Sequence, residues 1–141
     1  MLPKYSKKIT KIVRDNDLRG SIVSLVDDRV NNISIITSLK KTIRSNHFHK
    51  KDWHYMFVLE GRMEYFFKKN NSNYFINLKK GDLVFTPPNE IHATYFPIKT
   101  ILVVASKNPR DKKTYEKDTT RVDFIDINNV SSIKRNAKKI K

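Results

Sequence analysis

From residue 20 to residue 106 this chain is a succession of short β-branched and aromatic runs, each stopped by a turn signal. No apolar stripe of helical period interrupts them. Closely spaced short strands with turn residues between them imply a sandwich or a barrel. Runs at 21–26 and 33–38 flank a charged turn at Asp27-Asp28-Arg29. The run at 53–59 passes through Glu60-Gly61 into 62–67, where Met63, Tyr65 and Phe67 alternate with Arg62, Glu64 and Phe66. Further strands are expected at 73–78, 83–86, 92–96 and 100–105. The three glycines, Gly20, Gly61 and Gly81, all fall between these runs, where turns ask for positive φ. The expected fold class is all-β.

The 141 residues suit a single domain, 1–141, with the barrel over 20–106 and a basic extension over 107–141. After Asn108 the composition shifts to charges, asparagine and Pro109, with one apolar run at 122–127. The end, 131–141, carries five cations and no acid, and is expected to be frayed or helical at best. The basic N-terminal segment has no apolar run behind it. No signal peptide or membrane-spanning helix is expected, which points to a soluble, cytoplasmic protein.

Cysteine is absent, so a metal would have to be held by nitrogen and oxygen. The net charge of +15 would suit a polyanion, but 21 of the 29 cations are lysine and many come as scattered pairs. Such pairs mark solvated strand ends, and nucleic-acid readout favours arginine, so no nucleic-acid partner is expected. A positive field would still attract a small anionic substrate such as a nucleotide sugar.

Three of the four histidines, His47, His49 and His54, fall within eight residues, and His92 follows Pro87-Pro88. Imidazole is the commonest metal ligand and titrates near neutrality. His-x-His on a strand places both rings on one face. Residues 47–61 read His-x-His, four residues, His54, six residues, Gly61. Residues 81–96 read Gly81, five residues, Pro87-x-Asn89, two residues, His92, three residues, Phe96.

In order and spacing these two stretches resemble the paired motifs of the cupin superfamily. The resemblance implies a double-stranded β-helix, or jelly-roll barrel, like that of the RmlC-type cupins. His54 stands where the motif has Glu, Asn89 where it has Gly, and Phe96 where it has Asn. The resemblance further implies a divalent metal (Zn, Ni, Mn or Fe) on His47, His49, His54 and His92, and a homodimer. Asp17-Leu18-Arg19-Gly20-Ser21 followed by Arg44-Ser45-Asn46-His47-Phe48-His49-Lys50 resembles the start of the dTDP-4-dehydrorhamnose 3,5-epimerases and dTDP-sugar 3,4-ketoisomerases. Those enzymes use the motif histidines, here His47 and His49, as acid and base. Ser45 replaces a glycine of the ketoisomerase motif. The segment Asp52-Trp53-His54 to Tyr65 is also similar to small cupins of surface-polysaccharide gene clusters.

Two chemistries remain open. A metal held by four imidazoles keeps its full charge and would polarise a hydroxyketone for enolisation. Without a metal, His47 or His49 would be the base. An enolate also needs a donor, and Tyr55, Tyr65 and Tyr95 are the candidates. We take Tyr65 as the catalytic one, and Arg44 and Tyr55 as substrate-binding. The expected function is isomerisation or epimerisation of a nucleotide sugar. An iron-dependent dioxygenase and a non-catalytic sugar- or metal-binding module are the alternatives.

Overall fold

The structure is a computed structural model describing residues 1–141. Its elements run β1 (Lys7–Lys8), β2 (Ile12–Asp17), β3 (Gly20–Ser24), β4 (Asn32–Ser38), β5 (Thr42–His49), β6 (His54–Glu60), β7 (Arg62–Lys69) and β8 (Ser72–Lys79). They continue with β9 (Leu83–Thr86), β10 (His92–Phe96), β11 (Thr100–Ser106), α1 (Lys112–Asp118), β12 (Thr119–Arg121), α2 (Val130–Asn136) and β13 (Lys138–Ile140). One sheet has the order β1-β9-β6-β11-β4 and the other β12-β5-β10-β7-β8-β13, while β2 and β3 pair only with each other. All the pairings are antiparallel except β13 on β8. This is the all-β, double-sheet barrel expected from the sequence.

The barrel closes because alternate residues of both sheets bury apolar groups between them. Met63, Tyr65 and Phe67 of β7 meet Met56, Val58, Leu102 and Val104 of the facing sheet in one buried cluster. The opposite parity of β7 is buried too: Phe66 packs with Phe75, Phe124, Ile125 and Val130 under the C-terminal extension. Two tight reversals set the register. Asn70 and Asn71 both have positive φ (50° and 62°), which is the two-residue hairpin geometry that matches strand twist. Gly61 sits at φ +92°, and a Cβ there would lie 2.5 Å from the Lys99 carbonyl oxygen.

In the 131–141 segment, expected to be frayed or helical, α2 is helical through Asn136 and β13 adds a strand. β12 lies along β5 and β13 along β8, so the extension lines both flanks of the six-stranded sheet. Asp111 caps α1 by accepting a hydrogen bond from the Thr114 amide (2.9 Å). Lys134 of α2 donates to Glu64 of β7 at 2.6 Å. No helix is long and apolar enough to cross a membrane.

Candidate functional site

The site begins with a defect in β5. Arg44 faces Thr94 and Ser45 faces Ala93, but His47 faces His92, so Asn46 is an extra, extruded residue. Strict alternation from Arg44 would turn His47 and His49 to the outer face. The bulge reverses the phase and turns all three side chains to the inward face, His47 and His49 buried and Arg44 exposed at the rim. The backbone there is left-handed, with Ser45 at φ 71° and Asn46 at φ 55°. Asparagine tolerates this region, and serine at a positive φ shows why a glycine suits the same place in the resembled motif. Asn89, at φ 62°, likewise adopts the turn that the second motif gives to glycine.

β5, β6 and β10 then converge four imidazoles. Ring centroids are 4.5 Å apart for His47–His49, 4.8 Å for His47–His92, and 5.6 Å for both His49–His54 and His54–His92. All four residues are buried. Burial holds every ring below its ordinary pKa, His92 at about 4, and neighbouring imidazoles push His47, His54 and His92 further down. The rings are therefore neutral at pH 7.

Two tautomers can be read from geometry. His92 Nδ1 lies 3.0 Å from the Glu90 carbonyl oxygen, which only accepts, so Nδ1 carries the proton and Nε2 is a bare lone pair. That Nε2 is buried without a partner. His49 Nδ1 lies 3.2 Å from Thr119 Oγ1 and 4.0 Å from Asp118 Oδ2.

His47, His49 and His54 open onto a cavity of about 250 Å³. Ile36, Met56, Leu102 and Val104 form its apolar wall, and Arg44, Arg110 and Arg121 are the charged groups along it. No carboxylate lines it. Arg44 is fixed by hydrogen bonds from its guanidinium to Ser38 Oγ (2.8 Å) and the Thr37 carbonyl (3.0 Å). Arg121 makes a bidentate pair with Glu116, at 2.8 Å for each bond. Arg110 lies 5.0 Å from the Tyr115 ring centroid, and that ring is 5.4 Å from His49 and 6.2 Å from His47.

The structure thus brings together His47, His49, His54, His92 and Arg44. It places the two tyrosines elsewhere. Tyr55 points to the outer face of its sheet, where its hydroxyl donates to Asp28 Oδ2 at 2.7 Å and its ring packs on Phe85. Tyr65 is fully buried, stacked on His92 with centroids 5.9 Å apart. Its hydroxyl is engaged by Ser6 (2.7 Å) and Thr86 (2.8 Å), so it braces His92 from within the core. The tyrosine that lines the cavity is Tyr115, which together with Arg110 and Arg121 comes from the C-terminal extension. Composition gave no signal for these residues, because their elements are short and their partners lie far away in sequence.

The donor set fits a divalent metal. The ligand nitrogens of His47, His49 and His92 lie within 4.8 Å of one another, as do the ligand atoms of His49, Asp52 and His54. Rings that face a metal through Nε2 commonly donate Nδ1–H to an oxygen behind them, as His92 does to Glu90.

No family model and no curated protein matches the chain. Solved structures do. The TDP-quinovose 3,4-ketoisomerase WlaRB from Campylobacter jejuni superposes with a TM-score of 0.70 at 18% identity, over 95% of this chain and 100% of that one. The sugar 3,4-ketoisomerase QdtA from Thermoanaerobacterium thermosaccharolyticum, in complex with TDP, gives 0.69 at 17% identity, over 95% and 98%. A 3,4-ketoisomerase from Helicobacter canadensis gives 0.64 at 18%, over 92% and 97%. The chain has the cupin fold of these sugar 3,4-ketoisomerases.

Proposed function

We propose that this protein is an isomerase of nucleotide-linked keto sugars, shifting a carbonyl to the neighbouring ring carbon by enolisation, in the synthesis of surface-polysaccharide sugars. One observation carries the reading: three neutral imidazoles and three guanidiniums line one cavity that holds no carboxylate. The cations suit a diphosphate, since a planar guanidinium binds phosphate oxygens in bidentate fashion. The apolar wall keeps water from the reacting carbons and strengthens the charges around them.

In this reading His49 or His47 takes the proton from the carbon beside the carbonyl. The Tyr115 phenol gives a proton to the carbonyl oxygen, yielding an enediol. The enediol returns its other hydroxyl proton to the phenolate, and the imidazolium protonates the former carbonyl carbon. Nothing is gained or lost overall. Tyr115 takes the donor role expected of Tyr65 because its side chain lines the cavity. In the metal-bound alternative His47, His49, His54 and His92 would be ligands rather than bases, holding Zn, Ni, Mn or Fe, which would supply a Lewis acid for the carbonyl. A homodimer completes the proposal.

Incubation with TDP-4-keto-6-deoxyglucose in deuterated water tests the reading, with protein purified without a metal-chelating tag and then divided into chelator-treated and metal-reloaded halves. The expected result is a product with its carbonyl moved by one carbon and one deuterium on carbon. Activity of the treated half decides whether the metal is needed. No exchange in either half overturns the reading, and iron-dependent oxygen uptake replaces it with the oxygenase.

A further inference from the structure

Thr119 Oγ1 makes two contacts: it lies 2.6 Å from the Tyr115 carbonyl oxygen and 3.2 Å from His49 Nδ1. A threonine hydroxyl has a single proton. The carbonyl can only accept, so that proton goes to Tyr115, and the hydroxyl oxygen is left as an acceptor. His49 Nδ1 must then be the donor. We infer that Thr119 is a positioning residue that fixes His49 as the Nδ1–H tautomer and leaves its Nε2 lone pair free for chemistry.

The arrangement is built into the backbone. Thr119 is the C-cap of α1 and pairs in register with His49 through β12 and β5. Its amide donates to the Glu116 carbonyl, which holds the hydroxyl in place. Asp118, one residue earlier, is anchored by the amides of Lys51 and Asp52, each at 2.9 Å. Its carboxylate therefore stays on the Nδ1 side of His49 and favours a proton there over one at Nε2. The free histidine side chain prefers the opposite tautomer, with the proton on Nε2, so the protein reverses an intrinsic preference. His92 reaches the same polarity through the turn that precedes its strand, by way of the Glu90 carbonyl. The C-terminal extension thus matches His49 to His92, and two lone pairs are available whether the acceptor is a proton or a metal ion.

The catalytic consequence rests on the isomerase reading, whereas the tautomer does not. The experiment uses ¹⁵N-labelled, metal-free protein near pH 7.5 and two-bond ¹H–¹⁵N correlation of the imidazoles. In the natural protein and in Thr119→Ser, His49 Nδ1 should show the protonated shift and Nε2 the bare one. Thr119→Val keeps the shape and removes the acceptor, so the two shifts should exchange or average. With substrate, Thr119→Val should lower kcat by roughly 10–100-fold with KM unchanged, and Thr119→Ser should restore it. A natural protein with its proton on Nε2, or a Thr119→Val variant with unaltered shifts, overturns the inference. Inactivity of the natural protein with the expected shifts defeats the isomerase reading alone.

Discussion

Asn46 and Ile125, 79 residues apart, hold each other by two hydrogen bonds of 2.9 Å, side-chain amide to carbonyl and backbone amide to side-chain oxygen. The residue extruded by the β5 bulge is therefore clamped by the C-terminal extension, and the Asn46 carbonyl accepts a third bond from the Val122 amide at 2.9 Å. Asn46→Ala removes both side-chain bonds and leaves the Ile125 backbone groups without their partner. A loss of about 2–4 kcal/mol in urea unfolding is expected. The bulge should loosen with it, seen as faster amide exchange at His47 and Val122. A loss below about 0.5 kcal/mol would mean that the clamp is incidental.

Gly61→Ala is expected to be among the most damaging small changes in the barrel. The added methyl carbon would lie 2.5 Å from the Lys99 carbonyl oxygen and 2.8 Å from Thr100 Cα, both backbone atoms, at a φ of +92°. Overpacking and backbone strain together should cost about 2–4 kcal/mol by denaturant titration. Gly20→Ala, which meets nothing within 4 Å, is the control for φ alone. Equal losses in the two variants would remove the steric argument.

Acid should weaken the metal-free protein well before ordinary carboxylates titrate. Burial lowers all four imidazoles in the folded state, His47, His54 and His92 far enough to stay neutral above pH 5, whereas in the unfolded chain they take up protons near pH 6.5. Their contribution is complete above that pH and is lost as pH falls. Two carboxyls act the other way: burial raises Asp52 to about 6 and Glu90 to about 7, so the folded state protonates them first. Between pH 6 and pH 5 His47, His54 and His92 outweigh the two carboxyls, so the unfolded chain binds at least about one more proton than the folded one, worth roughly 1.4 kcal/mol per pH unit. The urea midpoint should fall steeply over this range, and an equal midpoint at pH 7.5 and pH 5 would refute the balance.

A second copy of the chain is the expected cover for the outer face of β4. Ile33 and Ile35 there are 67% and 72% exposed, beside an apolar groove lined by Val30, Phe57 and Val103. The β2–β3 hairpin, which pairs with neither large sheet, exposes Ile12, Val13 and Ile22. An isolated two-stranded hairpin is marginal in water. Residues 12–28 carry four aspartates against two arginines in a chain of net charge +15, so this segment suits a basic partner such as another copy. Light scattering should give twice the chain mass, and Ile35→Glu should halve it without unfolding the barrel. A natural protein that stays monomeric at micromolar concentration would contradict this.

The barrel was legible because its strands alternate and its turns are marked, and the histidines because two motifs preserve their spacing. The phase of the tyrosines was not. Tyr55 and Tyr65 lie on strands consecutive in sequence but in opposite sheets, and one points out of the barrel while the other points into its packed centre. The same motif text fits either orientation, and only the β5 bulge and sheet closure decide which residues turn inward. The extension hid for another reason. Thr119 and Tyr115 reach the site from short elements such as β12, three residues long, whose pairing with β5 spans some 70 positions. No periodic pattern records contacts of that kind.

By laying β12 and β13 along the six-stranded sheet, the chain covers His47–His49 of β5 and Tyr74–Ile76 of β8, shortening the edges with which a foreign strand could pair. The seven-residue rim of β4 on the other sheet and the β2–β3 hairpin remain as open edges. Shortening the chain after residue 106 would therefore create an aggregation hazard as well as an unfinished pocket.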